Sequence, residues 1–203
     1  MTDCILVAGG ELCYMLNREW FEELAKRAID MPPLNNPQFP PSRYYRFLRL
    51  LAEELKPDLS IELGVCGGGG SLHLALGNPE GKTIGIDIEM PPKENLATIQ
   101  TLVNYDNFYV IMGDSVEDAA EIYRRYGEVG ILFIDTTHTY EQTWKEYNAW
   151  KPYLSDNAVV CFDDLFRPEM EGFWESLPGP KVRLDKLHDG AEFGGGFGVI
   201  WNV

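Results

Sequence analysis

Residues 59–71 read LSIELGVCGGGGS, an apolar, strand-like run that ends in four consecutive glycines before a serine. The run predicts a buried strand, and the glycines predict a tight passage from that strand into a helix. Glycines at such a junction let the backbone approach a ligand closely, and the N-terminus of the following helix offers N–H groups to it. The stretch therefore predicts a ligand pocket where the first strand ends.

Downstream of this stretch, short apolar runs alternate with helical patterns. Strands are predicted at 59–65, 83–89, 108–113, 130–135 and 158–163, with helices at 71–77, 93–104, 115–126 and 139–151. This order predicts an α/β fold with a mostly parallel sheet and crossover helices. Two tail strands, at 181–187 and 197–202, are joined through a Gly-rich bend, which predicts an antiparallel pair at a sheet edge.

The N-terminal part of the chain has a different character. Helices are predicted at 11–30 and 42–55, on either side of the segment MPPLNNPQFPP, whose prolines forbid a helix. We expect one domain over 42–203, preceded over 1–41 by a helix and a Pro-rich loop that forms a lid or an oligomer contact. Phe39 and Tyr44 are candidates for covering a ligand, and simple packing or a homo-oligomer contact is an equal alternative.

The charge of the chain excludes some partners. Its 203 residues include 17 Lys and Arg against 32 Asp and Glu, a formal net charge of −15. We expect no nucleic-acid partner, because phosphate binding needs a basic surface. No apolar run reaches the roughly 20 residues of a membrane helix. The four cysteines lack CxxC or zinc spacing and the N-terminus lacks a signal-peptide pattern, which together predict a cytoplasmic protein with reduced thiols.

Acidic residues lie in or at the ends of the first three predicted strands. Glu62 lies in the first strand, Asp87 closes the second and Asp114 follows the third. Ligands of open parallel sheets bind at the carboxyl ends of the strands, where Asp87 would accept hydrogen bonds from a ribose diol and Asp114 from an adenine amino group. The alternative for both aspartates is helix capping. A dinucleotide fingerprint is not formed, because Cys66 and Leu72 stand where it needs glycine.

Four segments in this order resemble the class I S-adenosylmethionine-dependent methyltransferases: IELGVCGGGGS, GIDIE, MGDS and IDTTHTYEQTWKEYNAWKPYLSDNAVVCFDD. Residues 40–203 are similar to the metal-dependent small-molecule O-methyltransferases of the cephalosporin-hydroxylase-like and macrolide-sugar methyltransferase group. The resemblance implies a Rossmann-like three-layer fold with a seven-stranded, mostly parallel sheet and an antiparallel final strand. The residues expected to bind S-adenosylmethionine are Glu62, Gly64, Gly67, Gly68, Gly70, Ser71, Asp87, Asp114 and Asp135. Gly70 stands where relatives have serine, which predicts that the glycine loop binds the methionine end of the cofactor differently.

A second group of acids closes the fourth and fifth predicted strands. Asp135 ends the fourth strand, and Asp163 and Asp164 end the fifth. Neighbouring strands lie about 4.8 Å apart, so these carboxylates would repel one another unless a cation such as Mg²⁺ neutralised them. The resemblance implies a divalent metal at these three positions. In the alternative, Asp163 or Asp164 caps the next segment and Asp135 serves the cofactor of a metal-free enzyme.

His138 follows Asp135 by three residues, and the DxxH pattern of the family carries its catalytic histidine here. A neutral imidazole is a suitable general base for a hydroxyl group whose acidity a metal has raised, so His138 and Asp135 are the expected catalytic residues. His73 and His188 are expected to be a helix-face residue and a loop residue without a catalytic role. The predicted function is metal-dependent O-methylation of a small molecule, a sugar or a natural-product intermediate. The alternatives are a metal-independent methyltransferase, a nicotinamide-dependent oxidoreductase and a non-catalytic binding protein.

Overall fold

The computed structural model describes residues 16–34, 42–89, 104–188 and 195–203. Part of the predicted N-terminal helix, most of the Pro-rich loop with Phe39, and Gly194 of the predicted bend lie outside these ranges. The predicted helix at 93–104 also lies outside them, apart from its last residue.

The described strands form one seven-stranded sheet. They are β1 (Leu59–Leu63), β2 (Lys82–Asp87), β3 (Phe108–Met112), β4 (Val129–Ile134), β5 (Leu154–Phe162), β6 (Lys181–Arg183) and β7 (Gly198–Trp201). Their order is β3-β2-β1-β4-β5-β7-β6. The first five strands pair in parallel, whereas β7 is antiparallel to both β5 and β6. The predicted fold class, with its antiparallel pair at one edge, is confirmed.

Six α-helices lie within the described ranges. They are α1 (Arg18–Asp30), α2 (Arg43–Leu55), α3 (Gly69–Gly77), α4 (Ala119–Tyr126), α5 (Tyr140–Trp150) and α6 (Pro168–Ser176). Helix α5 begins after Thr139, whose hydroxyl oxygen accepts a hydrogen bond from the Gln142 N–H group, as expected of an N-cap threonine. Helix α6 is absent from the elements predicted from sequence. It has proline in its first turn, a position where the missing N–H group costs nothing.

The core lies on both faces of the sheet, because successive strand residues point to opposite sides. On one face, Ile131 and Phe133 of β4 pack in a cluster with α1 and α2. On the other face, Leu132 and Ile134 pack in a cluster with α4, α5 and α6. The molecule therefore has three layers, helices on either side of one sheet, as doubly wound folds do. No helix in the described part of the chain is both long and apolar enough to cross a membrane.

The register of the sheet places the strand ends side by side. Leu63, the last residue of β1, lies between Ile86 of β2 and Ile134 of β4, and Ile134 lies beside Phe162 of β5. The residues that follow these strands therefore meet at one edge of the sheet, where the strand order reverses around β1. Open parallel sheets bind their ligands at this position.

Candidate functional site

A cavity of about 430 Å³ opens at the carboxyl ends of β1 to β4. Its volume lies in the range of small-molecule and cofactor pockets. It is lined by Gly64, Cys66, Ile86, Asp87, Ile88, Gly113, Asp114, Ser115, Asp135, Thr136, Thr137, Gln142 and Glu146. Of the predicted cofactor-binding residues, the structure thus brings together Gly64, Asp87, Asp114 and Asp135. The others, Glu62, Gly67, Gly68, Gly70 and Ser71, are not among the lining residues.

Gly64 makes the turn that opens the cavity. Its φ angle is +86°, in the region that favours glycine, and its N–H group donates to the carbonyl oxygen of Ile86 at 2.9 Å. A Cβ atom at this position would collide with the backbone carbonyl of Asp135. Glycine therefore lets the chain after β1 pass directly against the chain after β4, which keeps the cavity floor close to the sheet.

Glu62 lies behind the glycine loop, buried, and supports it from inside. Its carboxyl group accepts hydrogen bonds from the N–H group of Ser71, at 2.7 Å, and from the Ser71 hydroxyl. A Cβ atom at Gly70 would meet this carboxyl group, so the absence of a side chain there is what allows the contact. Burial raises the pKa of Glu62 to about 8, although the Ser71 hydrogen bonds oppose the rise. Glu62 and Ser71 therefore position the loop.

Asp87 and Asp114 border the cavity in different ways. Asp87 accepts hydrogen bonds from the N–H groups of Cys66, at 2.9 Å, and Glu89, at 3.2 Å, and so ties the glycine loop to the end of β2. The Oδ1 atom of Asp114 accepts from the N–H groups of Val116, at 2.8 Å, and Glu117, at 3.0 Å. These two bonds lower the pKa of Asp114. The Asp114 geometry is that of a capping turn, the alternative considered for it from sequence.

His138 stands between two of the predicted acids. Its Nε2 atom lies 3.5 Å from Asp135 Oδ1 and 3.5 Å from Asp164 Oδ2. Its φ angle is +54°, a backbone conformation that residues other than glycine rarely adopt and that often marks functional positions. Burial lowers the pKa of His138, against the opposing charges of Asp164 and Asp163. A neutral imidazole is thus held beside the cavity that Asp135 lines.

Two basic side chains face the Asp163–Asp164 pair, His188 from a distant segment and Arg167 from the turn that follows Asp164. His188 Nε2 lies 2.9 Å from Asp163 Oδ1, and the ring of Tyr44 stacks on His188 with centroids 4.8 Å apart. Arg167 Nε donates to Asp164 Oδ2 at 2.7 Å. These contacts depend on the return of the chain through β6 and β7 and on the turn into α6. Spacing in the sequence gives no signal for the His188 contact.

The metal site predicted at Asp135, Asp163 and Asp164 has no ready set of donors in this arrangement. Burial raises the pKa of Asp135 well above its ordinary value, and Asp163, Glu62 and Asp164 add to the rise. Asp163 is turned toward His188 and Asp164 toward Arg167. Across the described residues, no group of three or more His, Cys, Asp or Glu side chains is arranged to hold a metal ion. Metal binding stays a prediction.

Glu146 is a cavity residue that sequence reasoning missed. It is fully buried on the inner face of α5, where its carboxyl group accepts hydrogen bonds from the side chains of Ser115, Thr136 and Gln142. A signal was present in the sequence: an acidic residue lies on the same helix face as Thr143, Tyr147 and Trp150. A charged residue on an apolar stripe must be paired, so it indicates a polar network below the helix.

Comparison with solved structures places this architecture among methyltransferases. An O-methyltransferase from Bacillus cereus, solved with S-adenosylhomocysteine, is 17% identical with a TM-score of 0.63, over 90% of this chain and 90% of that one. The O-methyltransferase TomG from Streptomyces achromogenes, solved with S-adenosylmethionine, is 18% identical with a TM-score of 0.61, over 90% of this chain and 89% of that one. At these identities the likeness shows the fold.

Sequence comparison gives the family. A tRNA (guanine-N(7)-)-methyltransferase from Helicobacter hepaticus is 36% identical over 83 residues, which are 41% of this chain and 20% of that protein. The chain thus spans about a fifth of the length of this curated relative. The family model described as a methyltransferase domain matches residues 61–165, more than half of the chain. The chain belongs to this methyltransferase-domain family.

Proposed function

We propose that the protein transfers the methyl group of S-adenosylmethionine to a hydroxyl group of a small molecule, and that His138 takes up the hydroxyl proton. The observation that carries the proposal is the position of His138, whose Nε2 atom lies 3.5 Å from both Asp164 and Asp135, and Asp135 lines the cavity. General base catalysis requires a proton acceptor within reach of the reacting hydroxyl group, and the proximity of His138 to the cavity supports this role.

The cavity residues fit the cofactor. Asp87 lies at the end of β2, where a carboxylate can accept hydrogen bonds from the ribose hydroxyl groups. Gly64 and Cys66 line the cavity, so the loop that follows β1 borders the space available to the cofactor. When bound, S-adenosylmethionine supplies a methyl carbon on a cationic sulfur, and the acceptor oxygen bonds to that carbon as the carbon–sulfur bond breaks.

His138 would receive the proton on its imidazole ring as the oxygen–carbon bond forms. Because burial lowers its pKa, the ring is neutral before reaction and has a lone pair to offer. The imidazolium ion that results lies beside Asp164, whose charge stabilises it, and beside the carboxyl group of Asp135. Asp135 is thus a second residue of the reacting centre.

The acceptor we propose is neutral or weakly polar. The formal net charge of −15 and the acids around His138 disfavour a strongly anionic molecule, including RNA. A sugar or a natural-product intermediate with a hydroxyl group meets this condition.

Divalent metal dependence is a separate, finer part of the proposal. A cation held by Asp135, Asp163 and Asp164 would make a bound hydroxyl group more acidic. It would require Asp163 to turn away from His188 and Asp164 from Arg167. Loss of methyl transfer after exhaustive chelation, with recovery on adding Mg²⁺, would support the metal. Methyl transfer that survives chelation would contradict the metal dependence and would leave the proposed role of His138 unaffected.

The test of the proposal is methyl transfer from labelled S-adenosylmethionine to a panel of hydroxylated small molecules, with wild type and His138→Asn. Asparagine tolerates the positive φ of residue 138, so this variant removes the base and spares the backbone. We expect turnover to fall by about 10²-fold or more while cofactor affinity, measured by calorimetry, is unchanged. Equal loss of turnover and affinity, or transfer to RNA and to no hydroxyl compound, would contradict the proposal.

A further inference from the structure

Glu146 connects three segments that line the cofactor cavity. Its Oε1 atom lies 2.6 Å from the Ser115 hydroxyl, on the chain after β3, and 3.0 Å from the Gln142 amide nitrogen, in the first turn of α5. Its Oε2 atom lies 2.8 Å from the Thr136 hydroxyl, on the chain after β4. Glu146 has no exposed surface, and Ser115, Thr136 and Gln142 all line the cavity.

Trp150, one helical turn further along α5, adds a second contact to the same segment. Its indole N–H group donates to the backbone carbonyl of Ser115 at 2.7 Å. Two residues of the buried face of α5 thus hold Ser115, one through its backbone and one through its side chain. This fixes the place of the Ser115 hydroxyl relative to the cavity before any ligand binds.

The direction of these bonds determines what the two hydroxyl groups offer to the cavity. Ser115 and Thr136 each donate their hydroxyl proton to a carboxyl oxygen of Glu146. A hydroxyl group has one proton to donate and two lone pairs, so neither residue has a second proton to donate. What remains for the cavity at both positions is an acceptor oxygen, which can receive a hydrogen bond from a ligand and cannot donate one.

We propose that Glu146 is a positioning residue that makes the cavity select an amino-substituted purine, by holding the Ser115 and Thr136 hydroxyl groups as acceptors. The adenine of the cofactor presents an amino donor, whereas hypoxanthine presents a carbonyl oxygen at the same place. Asp114, the acceptor expected from sequence, has its Oδ1 atom committed to the N–H groups of Val116 and Glu117. This inference depends on the use of S-adenosylmethionine and is independent of the proposed acceptor and of His138.

The experiment compares two ligands whose purines differ in the group on C6 and in the hydrogen on the adjacent N1. S-adenosylhomocysteine and S-inosylhomocysteine are titrated calorimetrically into wild type and Glu146→Gln. We expect wild type to prefer the adenosyl compound by about tenfold or more, the worth of one net hydrogen bond. In Glu146→Gln the new amide group must donate to one hydroxyl, which then turns its proton toward the cavity, so the preference should fall about tenfold.

Control variants separate this role from a structural one. Glu141→Gln changes an exposed glutamate of the same helix and should keep the wild-type preference. Ser115→Ala and Thr136→Val each remove one hydroxyl acceptor while residue 146 stays glutamate. At least one of them should lower the preference for the adenosyl ligand, even if Glu146→Gln does not fold. The inference is overturned if wild type binds both ligands equally, if Glu146→Gln weakens both by the same factor, or if both hydroxyl variants keep the wild-type preference.

Discussion

Glu62 offers a test of the site that needs no acceptor molecule. Its side chain is 1% exposed, and burial raises its pKa from 4.5 to about 8 despite the hydrogen bonds from Ser71. One pKa unit corresponds to about 1.4 kcal/mol, so the shift is worth about 5 kcal/mol of folding free energy. This is a large share of the total stability of a typical domain, which is about 5 to 15 kcal/mol.

The direction of the effect follows from proton binding. Between pH 4.5 and about pH 8 the folded protein keeps the Glu62 proton, whereas the unfolded chain has released it. Since the unfolded state then binds fewer protons, the free energy of unfolding falls as the pH rises through this window. The cost of holding a buried carboxylate is absent below about pH 4.5 and complete above about pH 8.

The assay is chemical unfolding of wild type and Glu62→Gln at about pH 5, pH 7 and pH 9. The glutamine cannot titrate, and it should lose part of the hydrogen bonding to Ser71 by a constant amount at every pH. The free energy of unfolding of the variant, relative to that of wild type, should rise by about 4 to 5 kcal/mol between the lowest and the highest pH. Removal of the charge also relieves Asp135, whose pKa Glu62 helps to raise, and this acts in the same direction.

Glu141→Gln, an exposed change on α5, should differ from wild type by the same small amount at every pH. A difference between wild type and Glu62→Gln that is equally flat with pH would show that the Glu62 carboxyl titrates normally. The reasoning from burial would then be wrong.

Two further predictions concern the glycine loop. Gly70→Ala should lower the free energy of unfolding by about 2 kcal/mol, because its Cβ atom would meet the Glu62 carboxyl group. The control Gly172→Ala lies in the interior of α6 with room for a methyl group, and it should raise the free energy of unfolding by about 0.5 to 1 kcal/mol. Denaturant unfolding measures both variants, and equal effects would refute the packing argument. Saturating S-adenosylmethionine should slow alkylation of Cys66, which is exposed and lines the cavity. Buried Cys161 should stay unmodified even in the absence of the cofactor, and peptide-resolved mass spectrometry can follow both thiols. An unchanged rate of Cys66 alkylation would mean that the cofactor binds elsewhere.

The fold could be predicted from sequence because its elements leave local signals. Strand β4 was expected at 130–135 and lies at Val129–Ile134, since a continuous apolar run is typical of a strand covered on both faces. Helix α6 was missed, although Met170, Phe173 and Trp174 have the helical spacing of a buried face. The run is short and begins with a proline, so its helical period is weak.

The candidate site could be predicted only in part. The acids were found because parallel strands all end at one edge of the sheet, so each strand end in the sequence marks the same place in space. His188 could not be found, because its contact with Asp163 spans 25 residues and exists only through the return of β6 and β7. The helical spacing of Trp144, Tyr147 and Trp150 is that of an aromatic packing stripe. It gives no sign of the hydrogen bond from the Trp150 indole to the Ser115 carbonyl.

Glu62 and Glu146 act in the same way on two sides of the cavity. Each is a buried carboxyl group that collects donors from other segments, Glu62 from the start of α3 and Glu146 from the chain after β3 and β4. Burying such groups costs free energy, which their hydrogen bonds offset, and a fully bonded buried group fixes the geometry of the segments it joins. The cavity walls are thereby ordered before the cofactor arrives, so that binding loses less conformational entropy. It follows that Glu62 acts on the cofactor without reaching the cavity: its replacement should weaken binding through disorder of the glycine loop, and should weaken adenosyl and inosyl ligands alike.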